Sequence, residues 1–292
     1  MNLTTLFKKK HKTNLTNFAE LWVLENSYLL KPTTLKTYYS NLNKLKRFKP
    51  EIFIEDIDRN FLQAYKKHLI TEVGNSLNTT YKSLSFLRSL LNKAQAQGIY
   101  NEHKPFSNFP LKKAVGHRAN LNRFELDKLC RFYENTKLPG QKNVLRYFLF
   151  SCFTGLRYVD IKNLKYSNID GNMISMQQHK TEQMVKIPLI NQARTLIDDS
   201  KSDNFIFESI SNQKTNKHLK RIARECNINK TLTFHVARHT FATIGLNLGI
   251  PLEVVSKLLG HTDIKTTQIY AKVQDDLLIT EMKKFEKLAK VV

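Results

Sequence analysis

The sequence predicts a mainly α-helical protein with a small antiparallel β-sheet, divided into an N-terminal helical bundle and a larger second domain. Three observations support this fold class. A chain of 292 residues has the length of two domains at roughly 150 residues each. Apolar residues recur at helical spacing along most of the chain, whereas one interval after residue 170 has the pattern of short β-strands. Two prolines, a glycine and polar residues interrupt the hydrophobic periodicity between residues 100 and 120.

We therefore divide the chain into a first domain over residues 1–110, a linker over 111–120 and a second domain over 121–292. A hydrophobic content of 41% is enough for a core in each domain. No apolar run approaches the roughly 18 residues of a membrane span, and none of signal-peptide length follows the N-terminal charges. The 3 cysteines are far apart and show no metal-binding spacing. We expect a cytoplasmic protein without membrane contact.

The first domain is predicted to be a small helical bundle with basic outer faces. Pro32 opens one helix, since proline fits the first helical position. The apolar residues of that helix are Leu35, Tyr38, Tyr39, Leu42 and Leu45. A second helix runs from about Leu77 to Gln97, and Gly98 supplies its stop. Its predicted apolar stripe is Leu77, Tyr81, Leu84, Leu87, Leu91 and Ala94.

The second domain begins with a predicted helix from Asn122 to Tyr133. Its apolar residues are Phe124, Leu126, Leu129 and Phe132. A strongly apolar helix, VLRYFLFSCF, follows and ends at Thr154-Gly155. The segments MISMQQ and MVKIPL flank the polar HKTEQ and predict a β-hairpin, after which helices return. The last predicted helix covers residues 274–290, with an apolar stripe of Leu278, Met282, Phe285 and Leu288.

The charge of the chain indicates the class of its partner. Lysine and arginine outnumber aspartate and glutamate by 47 to 25, which gives a formal net charge of +22. This exceeds what solubility requires and favours a polyanion. A membrane-surface protein usually concentrates its basic charge in one helix or tail, but here lysines recur from Lys8 to Lys290. The distribution of lysines therefore favours, over a membrane surface, a polyanionic partner that contacts the whole molecule.

Four short segments of the second domain carry side chains that suit phosphate chemistry. They are TGLRYVDI, HKTEQMVKIPL, HVARHTFAT and LGHTDIKTTQIY. His235 and Arg238 are three residues apart on one predicted helical face, so both can reach one anion. His261 precedes Tyr270 by nine residues, and a turn between two short helices would bring imidazole and phenol together. The candidate catalytic residues are Arg157, Lys180, His235, Arg238, His261 and Tyr270.

This set predicts cleavage of a phosphodiester without a metal ion or other cofactor. It contains guanidinium groups, imidazoles, an amine and a phenol, but no carboxylate cluster of the kind that holds magnesium. A phenol with a reference pKa near 10 needs positive charge or a base nearby to attack at neutral pH. A departing alkoxide needs a proton, which a lysine can supply. Lys180 is the preferred proton donor, and Lys186 in the same hairpin is the alternative.

From Leu121 to Val273, these segments resemble in order and spacing the tyrosine recombinase family, which includes phage integrases and Xer-type resolvases. The resemblance implies that the second domain is a tyrosine-recombinase catalytic domain and that Tyr270 is the nucleophile, which joins to a DNA 3′-phosphate. It further implies that Arg157 and Arg238 clamp the phosphate oxygens. Lys180 would protonate the leaving 5′-oxygen.

The resemblance also assigns supporting residues. His235 and His261 match the two histidines that hydrogen-bond the phosphate and assist proton movement. Asp160 stands where the family commonly has an acidic residue, often glutamate, that supports the site without touching the phosphate, and the shorter side chain leaves this role open. His239 and Thr240 follow Arg238 and are interpreted as packing or supporting hydrogen-bonding groups.

By the same resemblance, the first domain is a SAM-like domain that binds core DNA, and four protomers exchange strands through a Holliday junction without metal or ATP. This implies a tetramer on DNA, a bacterial or phage protein associated with the nucleoid, a link to mobile genetic elements, and accessory DNA-bending proteins. Two alternatives stay open: a type IB topoisomerase-like relaxing enzyme, and a non-catalytic DNA-binding regulator. Integration, excision, inversion and chromosome resolution are all compatible with the motifs.

Overall fold

The computed structural model describes residues 12–99, 104–114, 119–198, 204–270 and 282. The chain separates into two compact units, residues 1–116 and 117–292. The described residues are mainly helical with a three-stranded antiparallel sheet in the second unit, which confirms the predicted fold class. Across these ranges no helix has the length and apolar content needed to cross a membrane.

In its described residues, the first unit contains four α-helices. The helix opened by Pro32 and the helix beginning at Leu77 both form as predicted. Ser76 caps the latter, since its side chain accepts a hydrogen bond from the backbone N of Thr79. Gly98 follows its end with φ +70°. The helices are α1 (Leu15–Asn26), α2 (Pro32–Phe48), α3 (Arg59–Thr71) and α4 (Leu77–Ala96).

Of the eleven predicted apolar positions of these helices, six are buried, three are half-buried and two are exposed. Tyr39 is 50% exposed and Leu77 is 63% exposed. Successive helical residues point about 100° apart, and Tyr38 takes the inward position, where its ring stacks on Trp22 at 5.7 Å. Leu77 is the first residue of α4 and lies at the helix end. The buried positions that confirm the prediction are Leu42, Leu45, Leu84, Leu87, Leu91 and Ala94.

The second unit holds eight further helices and the sheet in the described ranges. The predicted hairpin forms, with antiparallel pairing that places Ile174 opposite Ile187 and Met176 opposite Val185. These four side chains are buried on one face of the sheet. The elements are α5 (Arg123–Asn135), α6 (Pro139–Thr154), α7 (Tyr158–Lys162), β1 (Ile169–Asp170), β2 (Met173–Gln177), β3 (Met184–Pro188), α8 (Asn191–Arg194), α9 (Asn212–Glu225), α10 (Phe234–Asn247), α11 (Leu252–Leu259) and α12 (Lys265–Gln268).

Helix α6 is the centre of this unit. Six consecutive side chains from Tyr147 to Cys152 are buried, and the helix packs against α5, α8, α9 and α10. A helix that is apolar on all sides is expected to be surrounded by other elements. Both α7 and α10, which carry arginines of the predicted site, also contact α6. The central helix therefore fixes the positions of the two elements that present these arginines.

Two other predictions about this unit have different outcomes. Phe124 was placed on the apolar face of α5, but it is 79% exposed. It precedes the buried Leu126 by two residues, and side chains at that spacing lie on opposite sides of a helix. The predicted terminal helix over residues 274–290 falls outside the described residues, apart from residue 282.

Candidate active site

A tight turn after α6 sets the position of Arg157. Gly155 follows Thr154 with φ +71°, a conformation that glycine adopts without strain. A Cβ at this position would lie 2.7 Å from Phe241 Cδ1, so a larger residue does not fit. Two residues later, Arg157 occupies the N-cap position of α7. The Thr-Gly turn noted in the sequence therefore directs the chain so that Arg157 lies towards α10.

Arg238 in α10 is 2% exposed. Its Nη1 donates to the carbonyl oxygen of Gly155 at 2.8 Å, and its Nη2 donates to that of Leu259 at 2.7 Å. These carbonyls lie at the C-terminal ends of α6 and α11, where peptide oxygens lack helical partners and carry partial negative charge. Burial, helped by the charge of Arg157, lowers the pKa of Arg238 to about 9. The guanidinium is therefore poorly solvated and held by peptide dipoles.

The side chain of Arg157 is held by two buried residues. Its Nη1 donates to Gln178 Oε1 and lies 3.9 Å from Asp160 Oδ2. Asp160 is fully buried, and its Oδ1 accepts a hydrogen bond from the backbone N of His179 at 2.9 Å. Burial lowers the pKa of Arg157, and the carboxylate of Asp160 acts in the opposite direction. Asp160 therefore supports both the arginine and the turn of the hairpin.

The two arginines form a positively charged site. In the described part of the chain, Asp160 is the carboxylate that acts on both guanidinium groups, so one net positive charge remains. Both arginines also interact electrostatically with Tyr270. A buried cation is costly unless an anion compensates it, and paired guanidiniums match the oxygens of a phosphate. Within the same ranges, no three His, Cys, Asp or Glu side chains come together as metal ligands.

Lys180 lies at the tip of the β2–β3 hairpin, in an exposed turn. The base of this turn is closed by two backbone hydrogen bonds: Gln178 N donates to Gln183 O at 2.9 Å, and Glu182 N donates to Gln178 O at 2.8 Å. Lys186, the alternative donor, lies within β3 and is also exposed. Asp160 and Gln178 hold the turn beside Arg157, and Lys180 is exposed on this turn.

The phenol of Tyr270 meets a histidine that the sequence had placed in a supporting role. His239 Nδ1 lies 2.6 Å from the Tyr270 hydroxyl oxygen. One helical turn earlier, the His235 ring lies edge-on to the His239 ring, with centroids 4.3 Å apart. His261 Nδ1 lies 2.7 Å from Thr267 Oγ1, a contact that joins the end of α11 to α12. A turn joins these two helices, and the Tyr270 phenol beyond it contacts His239 of α10; the predicted meeting of the Tyr270 phenol with the His261 imidazole stays a prediction.

Sequence reasoning missed Gln178. This side chain is fully buried; its Oε1 accepts hydrogen bonds from Arg157 and from Thr181 Oγ1, and its Nε2 donates to Leu259 O at 3.1 Å. Gln178 thus connects the hairpin, α7 and the end of α11. The available signal was its position, two residues before Lys180 at the end of a strand, but a glutamine there is ordinarily a solvated turn residue.

Models of known families match both units. Residues 119–276 match the phage integrase family, and residues 14–111 match the phage integrase SAM-like domain. Among curated proteins, a tyrosine recombinase of Thermosipho africanus is 26% identical over 274 residues, which cover 86% of this chain and 92% of the relative. The tyrosine recombinase XerC of Oceanobacillus iheyensis is 33% identical over 224 residues, which cover 70% of this chain and 72% of the relative.

Solved structures share the fold. The Tn1549 transposon integrase, solved in complex with a circular intermediate DNA, aligns with a TM-score of 0.76 and 17% identity, covering 92% of this chain and 99% of that one. A lambda integrase dimer bound to a core site aligns with a TM-score of 0.75 and 20% identity, covering 92% of this chain and 80% of that one. At these identities the similarity is one of fold.

Proposed function

The chain belongs to the phage integrase family and is a tyrosine-type site-specific recombinase, and on that premise we propose that it cleaves DNA by attack of Tyr270 on a phosphodiester. One observation carries this proposal. The Tyr270 hydroxyl lies 2.6 Å from His239, the residue after the buried Arg238, and both Arg157 and Arg238 interact electrostatically with Tyr270. A phenolate and a phosphate are the anions that such a site stabilises.

Arg157 and Arg238 bind the non-bridging oxygens of the scissile phosphate. Negative charge accumulates on these oxygens in the transition state, and one preorganised donor typically contributes about 2.7 to 4 kcal/mol there. The buried hydrogen bonds of both arginines supply that preorganisation before DNA arrives. His235 and His261 complete the phosphate contacts, and Asp160 holds Arg157 and the hairpin in place.

Lys180 donates the proton that the leaving 5′-oxygen requires. Its exposed position on the hairpin turn allows the amine to reach a phosphate held at the arginines. The product is a 3′-phosphotyrosyl bond and a free 5′-hydroxyl. One phosphodiester replaces another, so a new 5′-hydroxyl can reverse the step without ATP or a metal ion. This reversibility is the chemical requirement of strand exchange.

Both units bind double-stranded DNA, and the net charge of +22 supports contacts over much of the molecule. The first unit, which matches the phage integrase SAM-like domain, contributes to binding of the core site. A lambda integrase tetramer has been solved on a Holliday junction. We expect this chain to form the same assembly on its own site, in the bacterial or phage-infected cytoplasm near the nucleoid. A mobile element as its carrier and accessory DNA-bending proteins belong to the same proposal.

The nucleophile is tested by the substitution Tyr270→Phe. This change removes one oxygen, so it should abolish the covalent protein–DNA adduct on a nicked suicide substrate and leave DNA binding nearly intact. Adducts are measured by denaturing gel electrophoresis and mapped by peptide sequencing. Tyr133→Phe, at a half-buried tyrosine of the same unit, is the matched control and should form adducts normally. An adduct in the Tyr270→Phe protein, or one mapped to another tyrosine, would show that Tyr270 is not the nucleophile.

A further inference from the structure

The proposed reaction requires a group that takes the proton of the Tyr270 phenol. Resemblance to the family gives His235 and His261 the phosphate contacts and a general part in proton movement. The structure places a third imidazole against the attacking atom. His239 Nδ1 lies 2.6 Å from the Tyr270 hydroxyl oxygen, which is within hydrogen-bonding distance. This contact joins α10 to the segment that follows α12.

We propose that His239 is the catalytic base that accepts the phenolic proton of Tyr270 during DNA cleavage. The proposal rests on Tyr270 being the nucleophile, as argued above. His239 directly follows the phosphate-clamping Arg238 in sequence, and the proposal makes it the proton acceptor for the reacting oxygen of Tyr270. Arg238 and His239 are consecutive in α10, so one helix presents both the clamp and the base.

The surroundings of His239 favour this role. The residue is 5% exposed, so bulk water has little access to its ring. Its ring plane is tilted by 48° to the Tyr270 ring, with centroids 5.2 Å apart, so the phenol and the imidazole meet through their polar atoms and are not stacked face to face. The contact fits the tautomer with hydrogen on Nε2, in which Nδ1 is the acceptor.

The second imidazole in the cluster adds to this arrangement. The ring of His235 lies edge-on to that of His239, with an angle of 77° between the planes. His235 is exposed, whereas His239 is buried. The row Tyr270, His239, His235 therefore runs from the reacting oxygen to the surface.

The protons of the step balance. The Tyr270 O–H bond breaks and its proton binds His239 Nδ1, while the phenolic oxygen forms a bond to phosphorus. The bond between phosphorus and the 5′-oxygen breaks, and that oxygen receives a proton from Lys180. His239 ends as imidazolium and Lys180 as a neutral amine. In the rejoining step, His239 returns its proton to Tyr270 and Lys180 recovers its own from the attacking hydroxyl.

The same geometry links the proton transfer to DNA binding. A buried imidazolium is unfavourable, and here Arg157 and Arg238 around Tyr270 add like charge. The scissile phosphate brings negative charge to those arginines and offsets that cost. His239 therefore accepts the proton more readily when a phosphodiester occupies the site.

The test separates basicity from packing. His239→Asn keeps a polar atom near the Nδ1 position but cannot take up a proton at neutral pH. The rate of adduct formation on the suicide substrate is measured for wild type and variant, each with tyrosine or 3,5-difluorotyrosine at position 270. With tyrosine at position 270, the rate of adduct formation by the variant should fall about 100-fold, which is the lower end of the range for a general base. With the more acidic difluorotyrosine, the ratio of the wild-type rate to the variant rate should be at least about tenfold smaller, because a more acidic phenol depends less on a base.

The controls keep the outcomes distinct. Arg157→Ala removes a phosphate clamp, and fluorination should not relieve its defect. An equal loss with both tyrosines, or no loss with tyrosine, overturns the assignment of His239. Thermal unfolding and DNA binding verify the fold, and if the Asn variant does not fold, His239→Gln enters the same comparison. Adduct formation by Tyr270→Phe would instead overturn the proposed nucleophile.

Discussion

At the scale of single residues, the site combines positions that a sequence motif can identify with positions that only the fold can identify. Arg157, Lys180 and Tyr270 were predicted from their chemical type and spacing. Gln178 was not, because its importance comes from Leu259 O, which is 81 residues away in sequence. The contact between His239 and Tyr270 was missed for the same reason: a helical pattern does not say which neighbour a distant phenol will meet.

The role of Lys180 is open to a chemical test at this scale. Lys180→Ala should slow cleavage of normal DNA by about 100-fold or more, the usual range for a general acid. A substrate with a 5′-bridging phosphorothiolate should restore most of the rate, because sulfur leaves without a proton. The measurement is the rate of adduct formation on both substrates.

Two other lysine and arginine variants give that experiment its controls. Lys186→Ala changes the alternative donor in the same hairpin and should cleave normal DNA at nearly the wild-type rate. Arg157→Ala should be slow on both substrates, since sulfur does not replace a phosphate clamp. Equal rescue of the Lys180 and Arg157 variants would show that Lys180 is a clamp and not the acid.

At the scale of elements, the hairpin and the main helices were predictable because their patterns are local. The alternation in MISMQQ and MVKIPL and the stops at Gly98 and Gly155 are visible in sequence. Burial of single side chains was harder to predict, as Phe124 shows. The burial of a helical residue depends on which elements pack against its side of the helix, and the sequence pattern does not locate those elements. The two-residue strand β1 was also missed, since it is too short to show an alternation.

Gly260, the cap of α11, tests how closely these elements must approach. A Cβ there would lie 2.6 Å from Gln178 Oε1, and the residue has φ +63°. Gly260→Ala should lower the free energy of unfolding by about 2 kcal/mol or more, from backbone strain and overpacking together. It should also slow adduct formation, because Gln178 would be displaced from Arg157. Chemical denaturation and the suicide-substrate assay measure both effects.

Gly249 in the same unit provides the matched control. It has φ +82°, but no atom lies within 4 Å of a Cβ built there. Gly249→Ala should therefore show the strain cost of about 1 to 2 kcal/mol alone and cleave DNA normally. If both alanine variants lose the same stability and activity, the contact of Gly260 with Gln178 has no part in the site.

At the scale of the whole molecule, the formal net charge of +22 is the property that follows most directly from the sequence. Binding of the full chain to a core site should weaken steeply with salt, since each neutralised phosphate contributes about 0.9 to the log–log slope. We expect a slope of about 5 or more if both units contact the duplex. Fluorescence anisotropy across a salt series measures it. A slope near 1 or 2 would fit contact by one unit at one face of the DNA.

The way α10 holds Arg238 has a consequence for the evolution of this chain. The guanidinium donates to the carbonyls of Gly155 and Leu259 at the ends of α6 and α11. Losing it would remove the bond to Gly155 O and leave Leu259 O with Gln178 alone, at a cost in stability. A descendant that had given up recombination would still be selected to keep this arginine for its fold. Lys180 projects from an exposed turn and is under no such constraint. Among relatives that have lost parts of the site, retention of the hairpin lysine is therefore the better marker of an active recombinase.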